Sequence, residues 1–159
     1  MQKIKANIID DKKIKKIILQ KNQLPFLSFI YLLIHGKKFK FNEITHELQA
    51  VFAAPEKQIS DALFVLEVTA GLIKTGDNSL EIIDYESFIA DGDDVFIMLP
   101  EDYFENGENG NVKKLLKKEN GFEIVELWIL TLFTAVLCDD DGRIGKNKLI
   151  NKLTQLQGV

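Results

Sequence analysis

An almost wholly apolar segment, two amphipathic segments divided by a short break and followed by a hairpin signal, and a partial recurrence of that order after residue 95 together predict the fold class. The chain is expected to be mainly α with small β: a winged helix-turn-helix, followed by a second partial copy of the same unit. The expected division is a winged-helix domain over residues 1–90, a linker over 91–94, and a partial, mostly helical repeat over 95–159. A length of 159 residues sets two compact units as the upper limit.

Each element has its own local reason. Ile4, Ala6 and Ile8 alternate with Lys3, Lys5 and Asn7, the period of two that a half-buried strand requires. Asp10 and Asp11 offer an N-cap for a helix running to about Lys21, in which Ile14, Ile17 and Ile18 share one face while lysines cover the rest. Leu24 to His35 is nearly all apolar, tolerates Pro25 in its first turn and is closed by Gly36, so it is the expected central core helix. Asn42 is a good cap for Glu43 to Phe52, where Ile44, Leu48 and Val51 or Phe52 recur at helical spacing. After a break at Ala53 and Ala54, Pro55 suits the first position of the next helix, which turns Ile59, Ala62, Leu63, Leu66 and Ala70 inward and ends at Gly71. Leu72 to Lys74 and Leu80 to Ile83 then flank a five-residue turn, Thr75 to Ser79, as a β-hairpin would.

Beyond Asp91-Gly-Asp-Asp94 the order starts again. Val95 to Leu99 is a strand candidate, Asn111-Val-Lys-Lys-Leu-Leu116 parallels Lys13-Ile-Lys-Lys-Ile-Ile18, and Phe122 to Cys138 parallels Leu24 to His35. Asn147 to Leu153 parallels Asn42 to Leu48, and the chain stops before a second recognition helix or wing. This half unit is expected to need the first copy, or another chain, to cover its apolar surface.

Composition narrows the function classes. Apolar residues at 46% and charged residues at 28% are the balance of a globular protein. The longest apolar run, Leu127 to Cys138, has 12 residues with two threonines inside it, whereas a bilayer span takes about 20. No membrane association is expected, and the lysine-rich N-terminus lacks the apolar stretch of a secretory signal, so the expected location is cytoplasmic. Cys138, the one cysteine, excludes an internal disulfide and a cysteine-based zinc site, and its apolar setting suits a structural thiol. His35 and His46 are not at metal-ligand spacing with other candidates, and His35 suits a capping role at its helix end. Asp139, Asp141, Gly142 and Ile144 mimic the middle of an EF-hand loop, but Leu137 and Lys148 stand where its first and twelfth ligands belong. No phosphate-binding glycine loop, nucleophile elbow or acid/base pair is present, so neither an enzyme nor a cofactor is expected.

Charge is unevenly spread. Residues 1–40 hold ten lysines and two aspartates, residues 41–110 two lysines and sixteen acids, and residues 111–159 eight basic and six acidic residues. Two readings stay open: the lysines face phosphates, or they neutralise acidic parts of the same chain or a neighbour.

The spaced core set Lys13 to Ile18, Phe29-Ile-Tyr-Leu-Leu-Ile34, Glu47-Leu-Gln-Ala-Val-Phe-Ala-Ala-Pro55, Ile59, Ala62-Leu63, Gly71-Leu-Ile73 and Ile82-Ile-Asp-Tyr-Glu86 resembles the N-terminal domain of phage replisome organisers. That domain is a winged helix related to the N-terminal domain of the bacterial replication-initiation protein DnaD. The resemblance covers about residues 5–90, and more weakly 95–155. It implies assembly on origin DNA, homo-oligomerisation and help in loading a replicative helicase, so the expected partners are further copies of the chain, DNA, and replication proteins such as a helicase or its loader. The DnaD C-terminal DNA-binding domain and its Tyr/Trp motif have no counterpart, which shifts weight toward an accessory or regulatory role.

Two surfaces are candidate sites. Lys12, Lys13, Lys15 and Lys16 of the basic helix, with Lys37, Lys38 and Lys40 of the loop after the core helix, form a candidate phosphate-facing stripe. The second helix of the pair would enter the major groove of DNA, and its outward residues are Lys57, Asp61, Phe64 and Val68, flanked by Gln58 and Ser60. Lys57, Gln58 and Ser60 are the residues there suited to DNA. Asp61, Phe64 and Val68 suit a protein interface better. The wing turn adds no positive charge beyond Lys74. Two functions therefore compete: a replication-associated protein that binds DNA and self-associates, and a protein-interaction or regulatory module on the same scaffold that does not bind DNA.

Overall fold

The computed structural model describes residues 3–18, 22, 24–94 and 96–97. The fold is mainly helical with a small three-stranded antiparallel sheet, an arrangement compatible with a winged helix. In order it comprises β1 (Ile4–Lys5), a 3₁₀ turn (Ala6–Asp10), α1 (Lys12–Ile18), α2 (Leu24–His35), β2 (Lys38–Lys40) and α3 (Phe41–Phe52). There follow α4 (Glu56–Phe64), a π-helical continuation (Val65–Thr69), β3 (Ile73–Gly76), β4 (Ser79–Ile82), α5 (Tyr85–Phe88) and β5 (Phe96–Ile97).

Helix α2 occupies the centre. Its residues from Leu24 to Leu33 are all buried, including Ser28, whose hydroxyl has no hydrogen-bond partner among the described residues. A helix apolar on every side has no solvent face to offer, so its neighbours must wrap it. Helix α1 contributes Ile14, Ile17 and Ile18, α3 contributes Ile44, Leu48 and Phe52, and α4 with its continuation contributes Ile59, Ala62, Leu63 and Leu66. The Phe88 ring meets Phe29 edge-on at 5.4 Å and thereby joins α5 to this core. All the inward residues expected of the helix pair are buried, and of Val51 and Phe52 it is Phe52 that is fully enclosed.

The N-terminal alternation makes a shorter strand than expected. Only Ile4–Lys5 is extended, paired with Phe96–Ile97, and the chain then tightens into the 3₁₀ turn, which still buries Ile8. Asp11 is the cap of α1, its Oδ1 accepting from the Lys13 and Ile14 amides at 2.8 and 3.2 Å. The expected extension of α1 to Lys21 lies outside the described residues.

Three differences concern the sheet. The stretch expected as a loop after α2 is strand β2, which pairs with β4 through Lys38↔Glu81, Phe39↔Leu80 and Lys40↔Ser79, giving the order β2-β4-β3. The hairpin turn is not Thr75 to Ser79 but the two residues Asp77-Asn78, because Gly76 pairs with Ser79. Asn42 is not the cap of α3, which begins one residue earlier; Asn78 serves instead, its main-chain oxygen accepting from the Phe41 amide at 3.1 Å and its Oδ1 from the Asn42 amide at 3.0 Å. Asn78 takes the left-handed conformation (φ 46) that asparagine tolerates better than most residues. Pro55 likewise precedes α4 instead of opening it, and its carbonyl accepts from the Gln58 and Ile59 amides.

Past α4 the ladder widens to i→i+5, with the Ala70 amide bonded to the Val65 oxygen at 2.9 Å. The residues expected as a linker form a closed turn in which the Asp91 amide donates to Asp94 Oδ2, and Lys5 reaches Asp94 at 3.9 Å. The expected second copy, with Cys138 and the EF-hand-like turn, lies outside the described residues apart from β5. Among the described residues no helix is long and apolar enough to cross a membrane.

Candidate interaction surface

Helices α3 and α4 with the β3–β4 hairpin form the part that a winged helix uses for recognition. Residues 41–83, which make up this part, carry seven carboxylates and two lysines. Both lysines are engaged: Lys57 lies 3.1 Å from Asp61 one turn along α4, and Lys74 lies 3.5 Å from Glu81 across the hairpin. The hairpin is held against the π-helical turn by Glu67, whose carboxylate accepts from the Thr75 amide and hydroxyl at 2.9–3.0 Å. These side chains make the β3–β4 hairpin and α4 an acidic surface.

The outward face of α4 carries the residues expected there. Lys57, Gln58, Ser60 and Asp61 are exposed, and one and two turns on Phe64 and Val68 are 60% and 62% exposed. Isolated apolar residues on a surface are ordinary, but two at i and i+4 make a continuous ridge. Asp61 and Glu67 stand one turn to either side of Phe64.

The lysines of the N-terminal part are differently placed. Lys13 lies 3.9 Å from Asp84 and donates to the Gly71 carbonyl at 3.1 Å, while Lys37 lies 3.0 Å from Glu86. Lysines of α1 and of the segment leading into β2 thus converge on the Asp84–Glu86 turn. Lys38 approaches Glu81 at 4.0 Å and Lys40 approaches Glu43 at 3.9 Å. The hydrogen bond from Lys37 holds the Glu86 carboxyl below its usual range, and Glu86 raises the Lys37 ammonium in return. Exposed pairs of this kind contribute little to stability, yet each reduces the positive field available to an outside anion. Among the described residues, Lys12 and Lys15 enter no ion pair. The expected stripe of seven lysines therefore divides: Lys13, Lys37, Lys38 and Lys40 face carboxylates of the same chain, while Lys12 and Lys15 stand outside these pairs.

His35 and Tyr31 form a separate cluster at the end of α2. His35 Nδ1 donates to the Tyr31 carbonyl at 2.8 Å, the two rings stack at 4.0 Å, and the Tyr31 hydroxyl donates to Glu47 Oε2 at 3.1 Å. Burial first, and then Glu47, pushes the Tyr31 phenol up to about 12. Among the described residues no group of three or more His, Cys, Asp or Glu side chains is placed to share a metal ion.

Sequence reasoning misses β2, although the alternation Lys38-Phe39-Lys40 is its signal, and it misses the Glu67–Thr75 and Asn78–α3 links, which join residues distant in sequence. No family model, curated protein or solved structure matches the chain.

Proposed function

We infer that the described unit is a winged helix working as a protein-interaction module, with the outward face of α4 as its contact surface. One observation carries this reading: the sole lysine of α4 and its continuation is bound to Asp61, and the following turns present Phe64 and Val68. A helix that reads bases needs free donors aimed at base edges, and a wing that grips phosphate needs cations. Here the helix offers an apolar ridge between carboxylates, and the wing offers Lys74 already paired to Glu81.

The test is fluorescence anisotropy of the protein with labelled single-stranded and double-stranded DNA over about 50–200 mM salt. Lys57→Glu is expected to leave both affinity and salt slope where they are in the parent protein. A lower slope in the variant would show α4 lying on phosphate and overturn the reading.

A second reading, DNA binding in a replisome-organiser role, is favoured by α1, where Lys12 and Lys15 stand outside ion pairs among the described residues and Lys16 is also exposed. Its contacts would be with phosphate alone, giving affinity without sequence information. Charge reversal at Lys12 and Lys15 should then reduce the salt slope by about 2, near one for each lost contact. An unchanged slope removes α1 from consideration.

A further inference from the structure

The three-stranded sheet has two outer edges, and the chain treats them differently. An open edge shows main-chain N–H and C=O groups with which a strand of another molecule can pair. Edge strand β2 is three residues long, carries Lys38 and Lys40, and passes directly into α3 at Phe41, which leaves little to pair with. Edge strand β3 has four residues, and its one lysine, Lys74, lies against Glu81 of the neighbouring strand.

Which groups β3 turns outward follows from its register. The Ile83 amide donates to the Leu72 carbonyl at 2.9 Å, and in an antiparallel ladder such hydrogen-bonded pairs alternate with pairs that are not hydrogen-bonded. Thr75, opposite Leu80, falls in the second class, so its N–H and C=O face away from β4. That outward N–H donates to Glu67 Oε1 at 3.0 Å, and the Thr75 hydroxyl meets the same carboxylate at 2.9–3.0 Å. A carboxylate that accepts from a main-chain N–H makes a strong, charge-assisted bond. The π-helical turn supplies it: Gly71 (φ +67) reverses the chain, and β3 packs back along Val65–Thr69. Both sides of the contact lie within the described residues.

We propose that Glu67 is an autoinhibitory edge guard: its carboxylate takes the place of a neighbouring strand on β3 and holds off antiparallel pairing of this edge with the same edge of a second copy. Two identical edges match about a two-fold axis, with Thr75 opposite Thr75, and that is the symmetry self-pairing requires. A four-residue edge gives only a short pairing, so a single side chain suffices to hold it off. This surface is separate from the outward face of α4, and its fate is independent of the protein-contact reading.

The test uses the full chain. Glu67 lies outside the hydrophobic core, so its replacement leaves the fold in place. In Glu67→Ala at low concentration the Thr75 amide should exchange with solvent deuterium about tenfold faster, as the loss of one charge-assisted bond implies. Sedimentation over a dilution series should show self-association beyond that of the parent. Glu67→Gln, whose amide oxygen still accepts from Thr75, should stay near the parent in both measurements. Thr75→Pro added to Glu67→Ala removes the outward N–H without breaking the ladder and should restore the parent's sedimentation. Should that double variant not fold, Thr75→Lys added to Glu67→Ala sets like charges opposite each other on the paired edges and should do the same. Unchanged exchange at Thr75, no added self-association in Glu67→Ala, or self-association that persists in the folded double variant overturns the proposal.

Discussion

Helices α1 and α4 are both amphipathic, and both lay isoleucine or leucine against α2, yet they leave opposite surfaces to solvent. Helix α1 buries every apolar residue it has, so its outer side is lysine throughout. Helix α4 buries Ile59, Ala62 and Leu63 and still has Phe64, and beyond it Val68, left over. A helix whose apolar residues are all used in the core can meet only charge, while one with apolar residues to spare can hold a partner by dehydration. The contrast separates what each helix does for folding from what each can do for binding.

The largest expected effect tests the inner half of that contrast. Leu63→Ala should cost about 2–5 kcal/mol, as large-to-small changes in packed cores do, whereas truncation of its neighbour Phe64 to Ala should stay within about 0.5 kcal/mol. Denaturant unfolding measures both, and equal losses would mean that Phe64 is a packing residue. Next comes the junction that positions the β3–β4 hairpin beside α3. Asn78→Ala removes a cap acceptor and places a Cβ-bearing residue without a compensating side-chain bond in the left-handed region, at a cost of about 1–2 kcal/mol. Asn78→Gly, which adopts the left-handed backbone without strain, should lose less; the reverse order would discount the backbone strain.

A pH-dependent effect follows from Tyr31. Its folded-state value, about 12, lies above the ordinary 10.0, so the native state keeps the phenolic proton to higher pH than the unfolded chain does. The contribution is complete below pH 10 and is lost as pH rises toward 12. Tyr31→Phe should therefore make stability fall less steeply across that interval, as read by denaturation at stepped pH. An identical slope would show that neither the burial of Tyr31 nor its bond to Glu47 is kept in solution. The smallest expected change in stability belongs to the outer side of α1: Lys12→Glu with Lys15→Glu should leave unfolding within about 0.5 kcal/mol of the parent. A larger loss would place these lysines in the fold's own electrostatics and not on a surface kept for partners.

Much of the helical framework is legible in the amino-acid sequence. Leu24–His35 has the bounds that its composition and Pro25 indicate, and the inward residues of α3 and α4 are those at helical spacing, because a repeat of 3.6 residues is written locally. The outward positions of Lys57, Asp61, Phe64 and Val68 follow from the same repeat. Strand β2 is not legible in this way, since three residues carry little pattern and its partner β4 lies about forty positions away. Local pattern makes the hairpin turn too long for a related reason: Thr75, Gly76 and Ser79 are turn-forming types, and only pairing with the opposite strand draws them into the ladder.

By itself, the sequence determined which faces of the helices are apolar and where charge accumulates along the chain. Only the tertiary structure decided which charges remain available. Lys13 and Lys37 meet Asp84 and Glu86, Lys38 meets Glu81, and Asn78 at the tip of the hairpin closes the start of α3. The physical reason is that burial of an amphipathic face depends on neighbours a few residues apart, whereas ion pairs, caps and strand pairing join residues far apart in sequence that meet only after the chain has folded.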